Sequence, residues 1–221
     1  MRIIKYNFCM DVILRRYVAW FLDLLYGPFA FAYNFVAFLV SRGNWHKWTF
    51  QIMDYLEENE TILEVGIGTG KLIRHMKKCG YSVIGSERSK QMIKINQLKS
   101  KDMKMNIVRA DNRCLPFRRN GFSKIIATFP SKYIFNDSFY DEAMRCLSKN
   151  GEMIILLSVI FSTKKFTNRF YNFLYKLTGM SASKENIEQS VFSTFKNTEY
   201  LTIEWKKYKN VELCFLRMKN C

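Results

Sequence analysis

Apolar residues along the chain fall into short runs separated by turn-formers, and one run leads into a concentration of glycine. Thr61-Ile62-Leu63-Glu64-Val65 is followed by Gly66-Ile67-Gly68-Thr69-Gly70, and Lys71 to Lys78 continues at helical spacing. The pattern predicts a strand, a tight turn and a helix in direct succession. Tyr81 to Glu87, Asn106 to Asp111, Phe122 to Pro130 and Glu152 to Ser158 are further apolar runs of strand length. Lys90 to Lys99 and Asp141 to Leu147 read as helices between them, with Ser89 as an N-cap and Lys149-Asn150-Gly151 as a turn. Near-continuous apolar strands alternating with helices predict a mostly parallel sheet, doubly wound and covered on both faces. Glu199 to Trp205 and Val211 to Arg217 alternate polar with apolar around Lys209-Asn210. They predict an antiparallel C-terminal hairpin that completes seven strands in an α/β fold.

The flanks read differently. Residues 3–26 mix apolar and basic side chains at helical spacing, Gly27-Pro28 breaks the pattern, and 29–40 is apolar nearly all round apart from Asn34. Ser41-Arg42-Gly43-Asn44 predicts a stop, and a third helix is expected from Trp45 to Glu58. Asp23 and the Gly27-Pro28 break argue against a membrane span over 17–40. No small-residue cleavage site follows, as a signal peptide requires. Two readings of residues 1–45 stay open: a helical cap on the main domain, or a basic amphipathic segment on a membrane surface with Trp20, Trp45 and Trp48 at headgroup level. Phe161 to Leu177 is basic and aromatic and is expected as an inserted helix; Gly179 to Ser193 is polar and is expected as a loop.

Charge narrows the partners. The formal net charge is +16, which favours an anionic partner: nucleic acid, an anionic membrane surface or an acidic substrate. The six cysteines form no C-x-x-C pair and only two histidines are present, so neither a structural zinc site nor a disulfide scaffold is indicated. Reduced thiols fit a cytoplasmic protein.

Candidate chemistry converges on the strand ends. Gly66, Gly68 and Gly70 let the backbone approach a ligand closely, and the helix that follows offers free N–H groups. Glu87 ends the second strand seventeen residues past Gly70, where nucleotide-type sites place an acid on ribose hydroxyls. Asp111 ends the third strand, and Thr128-Phe129-Pro130 ends the fourth. In an open α/β sheet ligands bind outside these carboxyl ends.

Over about residues 45–160 this order resembles the class I S-adenosylmethionine-dependent methyltransferases, whose fold is Rossmann-like. Leu63 to Gly70 is similar to the family's first motif, and Val83-Ile84-Gly85-Ser86-Glu87-Arg88-Ser89 resembles its second. Ala110-Asp111-Asn112 with Leu115-Pro116-Phe117 resembles the adenine region; Ser123 departs from an aspartate that is usually structural. The resemblance implies S-adenosyl-L-methionine as cofactor and no metal. Glu64 and the backbone of Gly66 to Gly70 would anchor its amino-acid end, and Glu87 with Arg88 would lie at the ribose. Asp111 and Asn112 would lie at the adenine, with Thr128, Phe129 and Pro130 near the methyl group. It also implies a methyltransferase domain over 46–221, with 160–198 as an insertion over the acceptor site.

Tyr133 and His46 are the candidate catalytic residues, each open between packing and acceptor contact, whereas His75 is expected to be structural. The chain has neither the N/D-P-P-Y-like motif of amine-methylating nucleic-acid enzymes nor a cysteine beside the fourth strand. Two aromatic, basic segments, 1–45 and 160–180, would flank the carboxyl ends of the strands, so a hydrophobic or amphiphilic small molecule, lipid or quinone-like, is the first expectation for the acceptor, with an anionic membrane surface as an expected partner. RNA, through the basic charge, is the alternative. A catalytically idle scaffold is the third reading, and the intact acids at Glu64, Glu87 and Asp111 argue against it.

Overall fold

The computed structural model describes residues 38, 41, 43–161, 184–195 and 200–220. The helices expected over 3–26, 29–40 and 161–177 lie outside or almost outside the described residues. Among the described residues, no helix is long and apolar enough to cross a membrane.

Seven strands form one sheet in the order β3-β2-β1-β4-β5-β7-β6. They are β1 (Thr61–Val65), β2 (Ser82–Glu87), β3 (Ile107–Arg109), β4 (Phe122–Thr128), β5 (Leu147–Phe161), β6 (Leu201–Tyr208) and β7 (Val211–Lys219). β1 to β5 pair in parallel, and β7 runs antiparallel to both β5 and β6. The helices are α1 (Trp45–Thr49), α2 (Lys71–Lys78), α3 (Lys90–Lys99), α4 (Asp137–Cys146) and α5 (Lys184–Thr194). Strand order reverses beside β1, between β2 and β4, so the glycine turn opens at the switch point of the sheet.

Strand alternation divides the core in two. Ile62, Val83, Ile126, Ile154 and Leu156 face a layer containing Trp48, Ile52, Leu72, Ile73 and Met76. Leu63, Val65, Ile125, Ala127 and Ile155 face the other way, onto Phe139, Ala143, Ile187 and Val191. Each fully buried Leu or Ile contributes roughly 1.5–3 kcal/mol, so both helical layers are bound firmly to the sheet.

Local chemistry explains where element bounds differ from expectation. The helix expected to Glu58 tightens into a 3-10 turn over Phe50–Tyr55. There Thr49 Oγ1 donates back to His46 O at 3.0 Å, competing with the helical ladder. α4 starts earlier than expected because the Asn136 side chain accepts from Ser138 N–H at 2.9 Å and caps it. The expected turn at 149–151 is a kink inside β5: Asn150 has φ 61° and its N–H donates to Asn220 O at 2.7 Å. The loop expected over 179–193 is in part α5, because Ile187, Val191 and Phe195 recur every fourth residue and are all buried. Ser123 ties strands together, its Oγ accepting from Thr61 N–H at 3.0 Å and donating to Thr61 O at 3.2 Å.

Candidate functional site

The site is built on the turn after β1. Gly66, Gly68 and Gly70 all have left-handed φ values, 73°, 53° and 72°, which glycine adopts without strain. Around Gly68 nothing lies within 4 Å of where a Cβ would stand, so this part of the turn faces open space. Glu87 braces the turn from β2. Its Oε2 accepts from Gly68 N–H at 2.9 Å and its Oε1 accepts from Ser89 N–H at 2.8 Å. Each carboxylate oxygen has a second lone pair, so the side chain can hold the turn and still accept from a ligand hydroxyl. Arg88 contributes its carbonyl, which accepts from Arg109 Nε at 3.2 Å.

Glu64 is buried at the end of β1, and its Oε2 has no hydrogen-bond partner. Burial, reinforced by the nearby Glu87 carboxylate, pushes its pKa up to about 8, against the pull of Arg74. Arg74, one turn into α2, spends Nη1 on Thr69 O at 2.9 Å. At neutral pH Glu64 therefore holds a proton that a cation arriving beside it would displace.

Three of the four other orphaned side chains lie in the same region. Among the described residues, the buried side-chain atoms without a partner are Glu64 Oε2, Ser86 Oγ, Asn96 Nδ2, Asn112 Oδ1 and Ser158 Oγ. Glu64, Ser86 and Asn112 lie at or beyond the carboxyl ends of β1, β2 and β3, and Ser158 lies in β5 two residues past its last pairing with β4. Buried polar groups are ordinarily paired, so this end of the sheet is built to be completed by a polar ligand. A ligand carrying an ammonium, ribose hydroxyls and an adenine amine supplies complementary groups at Glu64, Glu87 and Asn112. The residues present therefore fit S-adenosylmethionine.

Other expected site residues are occupied otherwise. The Asp111 carboxylate is held by Arg113, from Nε at 2.9 Å and Nη2 at 2.8 Å, with Arg113 N–H at 3.0 Å. These bonds keep its pKa well below the usual carboxylate range. Asn112, buried and unpartnered, is the freer group at that corner. Phe129 is buried at φ 46°, a strained setting for a non-glycine residue. Its ring packs on Trp45 at 4.3 Å between centroids, within the helical layer. Thr128 closes β4 opposite Leu156, and Pro130 follows the strained residue half-buried.

Tyr133 lies over the turn: its Oη donates to Val65 O at 3.4 Å and stands 2.9 Å from where a Gly66 Cβ would be. Burial and the neighbouring Glu87 and Glu64 carboxylates raise its pKa, so it remains a phenol. His46 sits at the other side of α2; burial, then Lys71 and Lys99, lowers its pKa to about 4 and keeps its ring neutral. The structure thus brings Glu64, Glu87 and Tyr133 together around the turn, while His46 lies within electrostatic reach of Lys71 at the start of α2. His75 stacks on Phe50 at 4.1 Å. Ser86, Ser158 and Arg74 were not expected at the site. Ser86 and Ser158 interrupt the apolar stretches of β2 and β5, and that interruption was the available signal.

Comparison with known proteins agrees with this geometry. Residues 62–151 match a family model described as a methyltransferase domain. A demethylmenaquinone methyltransferase of Thermotoga maritima is 29% identical over 158 residues, covering 69% of this chain and 68% of the relative. One of Tropheryma whipplei is 26% identical over 123 residues, covering 55% of this chain and 51% of the relative. A solved SAM-dependent methyltransferase of Methanosarcina mazei superposes with TM-score 0.52 at 15% identity, over 76% of this chain and 96% of that one, which shows the fold. Residues 62–151 thus form a methyltransferase domain, and these likenesses support a class I S-adenosylmethionine-dependent methyltransferase. The protein is an enzyme of methyl transfer, with S-adenosylmethionine as its cofactor.

Proposed function

We propose that the protein methylates a hydrophobic or amphiphilic small molecule of quinone-like type. The observation that carries the reading is the likeness to two demethylmenaquinone methyltransferases, which reaches beyond the family's shared motifs to 69% of the chain for the first. An aromatic wall beyond the end of β4 supports it. The Phe135 ring lies 6.4 Å from Phe195 and Tyr140 lies 6.3 Å from the same ring, while Phe135 and Phe192 stay exposed. Such a wall suits a flat apolar acceptor. The bound cofactor supplies a methyl group on a sulfonium, already activated for transfer. The chain's own task is to align an acceptor oxygen or carbon with it and exclude water. Ser158 Oγ, buried and unpartnered beyond the end of β4, is the donor we assign to orient the acceptor.

Tyr133 and His46 are kept in subsidiary roles. Tyr133, held as a phenol, shapes the turn, and neutral His46 belongs to the flank of α2. With its basic charge the enzyme would work in the cytoplasm, peripheral to an anionic membrane.

The test is transfer from labelled S-adenosylmethionine to demethylated quinones, to phospholipid and to RNA in parallel. Label in the quinone fraction supports the reading. Label only in RNA would replace it with the reading favoured by net charge alone.

A further inference from the structure

α3 runs against the ordinary pattern of a surface helix. Its buried face carries Met92, Asn96 and, at the C-cap, Ser100, recurring every fourth residue, whereas Leu98 stands 67% exposed. An amphipathic helix turns its apolar side chains inward, so the amide in the middle of this face needs another cause. Asn96 is fully buried. Its Oδ1 accepts from Ser100 Oγ at 3.0 Å, which orients the amide, and Nδ2 is left with no partner. Folding alone does not account for this choice. An apolar side chain of the same size would fill the space without stranding a donor.

The Asn96 amide points at the glycine turn. Its Nδ2 occupies the place where a Gly70 Cβ would stand, and its Cγ lies 2.5 Å from that place. Gly70 therefore has two reasons to be glycine: its φ of 72°, and an amide that takes the room of a side chain. Three other bonds hold the turn. Gly68 N–H donates to Glu87 Oε2 on β2, Gly70 N–H donates to Ile67 O at 2.9 Å, and Arg74 Nη1 donates to Thr69 O at 2.9 Å. Asn96 adds a support from α3, at the residue where the turn becomes α2. A binding surface made of backbone is only as well placed as the groups that hold it.

We propose that Asn96 is a positioning residue for S-adenosylmethionine: wedged against Gly70 from α3 and oriented by Ser100, it sets the place of the glycine turn that receives the cofactor. It acts through Gly70 and touches neither the cofactor nor the acceptor.

The experiment is a double-mutant cycle read by calorimetric titration of S-adenosylhomocysteine, with thermal unfolding of the cofactor-free protein alongside. Asn96→Leu keeps the volume and removes the stranded donor. It should leave the melting temperature unchanged or higher, and weaken S-adenosylhomocysteine binding about tenfold. Ser100→Ala, which frees the amide to rotate, should weaken binding less. Gly70→Ala should weaken it most, because the new Cβ and the Asn96 amide would share one place. Adding Asn96→Ala removes that collision and leaves the strain of the positive φ, so binding should recover at least about tenfold over Gly70→Ala alone. Wild-type affinity in Asn96→Leu, whatever its melting temperature, would leave Asn96 a packing role only and overturn the proposal. An equal loss of affinity from Gly70→Ala with and without Asn96→Ala would overturn it too. Where Gly70→Ala alone does not fold, Asn96→Leu and Asn96→Ala decide: wild-type affinity in either sinks the proposal, and weakened affinity in both with the fold intact supports it.

Discussion

Glu64 and Glu152 are two buried glutamates on the same face of the sheet, at opposite ends of its parallel strands. Glu152, at the amino end, accepts from Lys124 Nζ at 2.8 Å and Arg217 Nε at 2.7 Å. Arg217 reaches on to Glu204, which accepts from Tyr55 Oη at 2.8 Å. Burial pushes the Glu152 carboxyl up, and the bonds from Arg217 and Lys124 more than reverse it. Glu64, at the carboxyl end, has an orphaned oxygen and a pKa pushed up to about 8. The two carboxyls share residue type and burial, and only their partners differ. A saturated network marks the end of the sheet that holds the fold; unsatisfied groups mark the end that receives a ligand.

Breaking the saturated end should have the largest effect. Glu152→Ala removes the shortest partner of both Lys124 and Arg217, leaving them the longer contacts to Glu60 at 3.7 Å and Glu204 at 3.4 Å, and is expected to cost about 3 kcal/mol of stability in urea unfolding. Cofactor affinity of the molecules that stay folded should be unchanged. Glu64→Gln should do the reverse. Its folding stability should be equal or higher near neutral pH, because the amide copies the protonated acid. Its S-adenosylmethionine affinity should fall about 10- to 100-fold in calorimetry.

The pH dependence sharpens the same contrast. A carboxyl whose folded pKa is raised stabilises the fold at low pH, and that contribution is lost as pH rises from the ordinary carboxylate range through about 8. Between neutral pH and about pH 9, the melting temperature of the cofactor-free protein should drop more for wild type than for Glu64→Gln. The smallest expected effect is that of Gly66→Ala. Its left-handed φ and the Tyr133 hydroxyl 2.9 Å from the new Cβ should cost about 1 kcal/mol, with a modest rise in the cofactor's dissociation constant.

The strands were legible because their apolar runs are nearly unbroken, and the glycine turn because positive φ demands glycine. Gly66, Gly68, Gly70 and Glu87 could be named for the same reason: their spacing follows from strand, turn and helix; Glu64 was named through the resemblance of Leu63 to Gly70 to the family's first motif. α5 was hidden because its apolar residues, Ile187, Val191 and Phe195, are thinly spread among polar ones. The role of Asp111 was illegible as well. Arg113 lies two residues on, and only the folded turn between them shows that the pair closes on itself. Ser158 and Asn96 escaped notice because an orphaned hydrogen bond is a property of the packed interior rather than of any residue type.

The central claim is that Glu64 is protonated in the empty enzyme and ionises when S-adenosylmethionine binds. Calorimetric titration near neutral pH in buffers of different ionisation enthalpy measures it directly. We predict one-to-one binding with release of nearly one proton in wild type, and none in Glu64→Gln. Wild-type binding with no buffer dependence, or no binding of S-adenosylmethionine at all, would contradict the account.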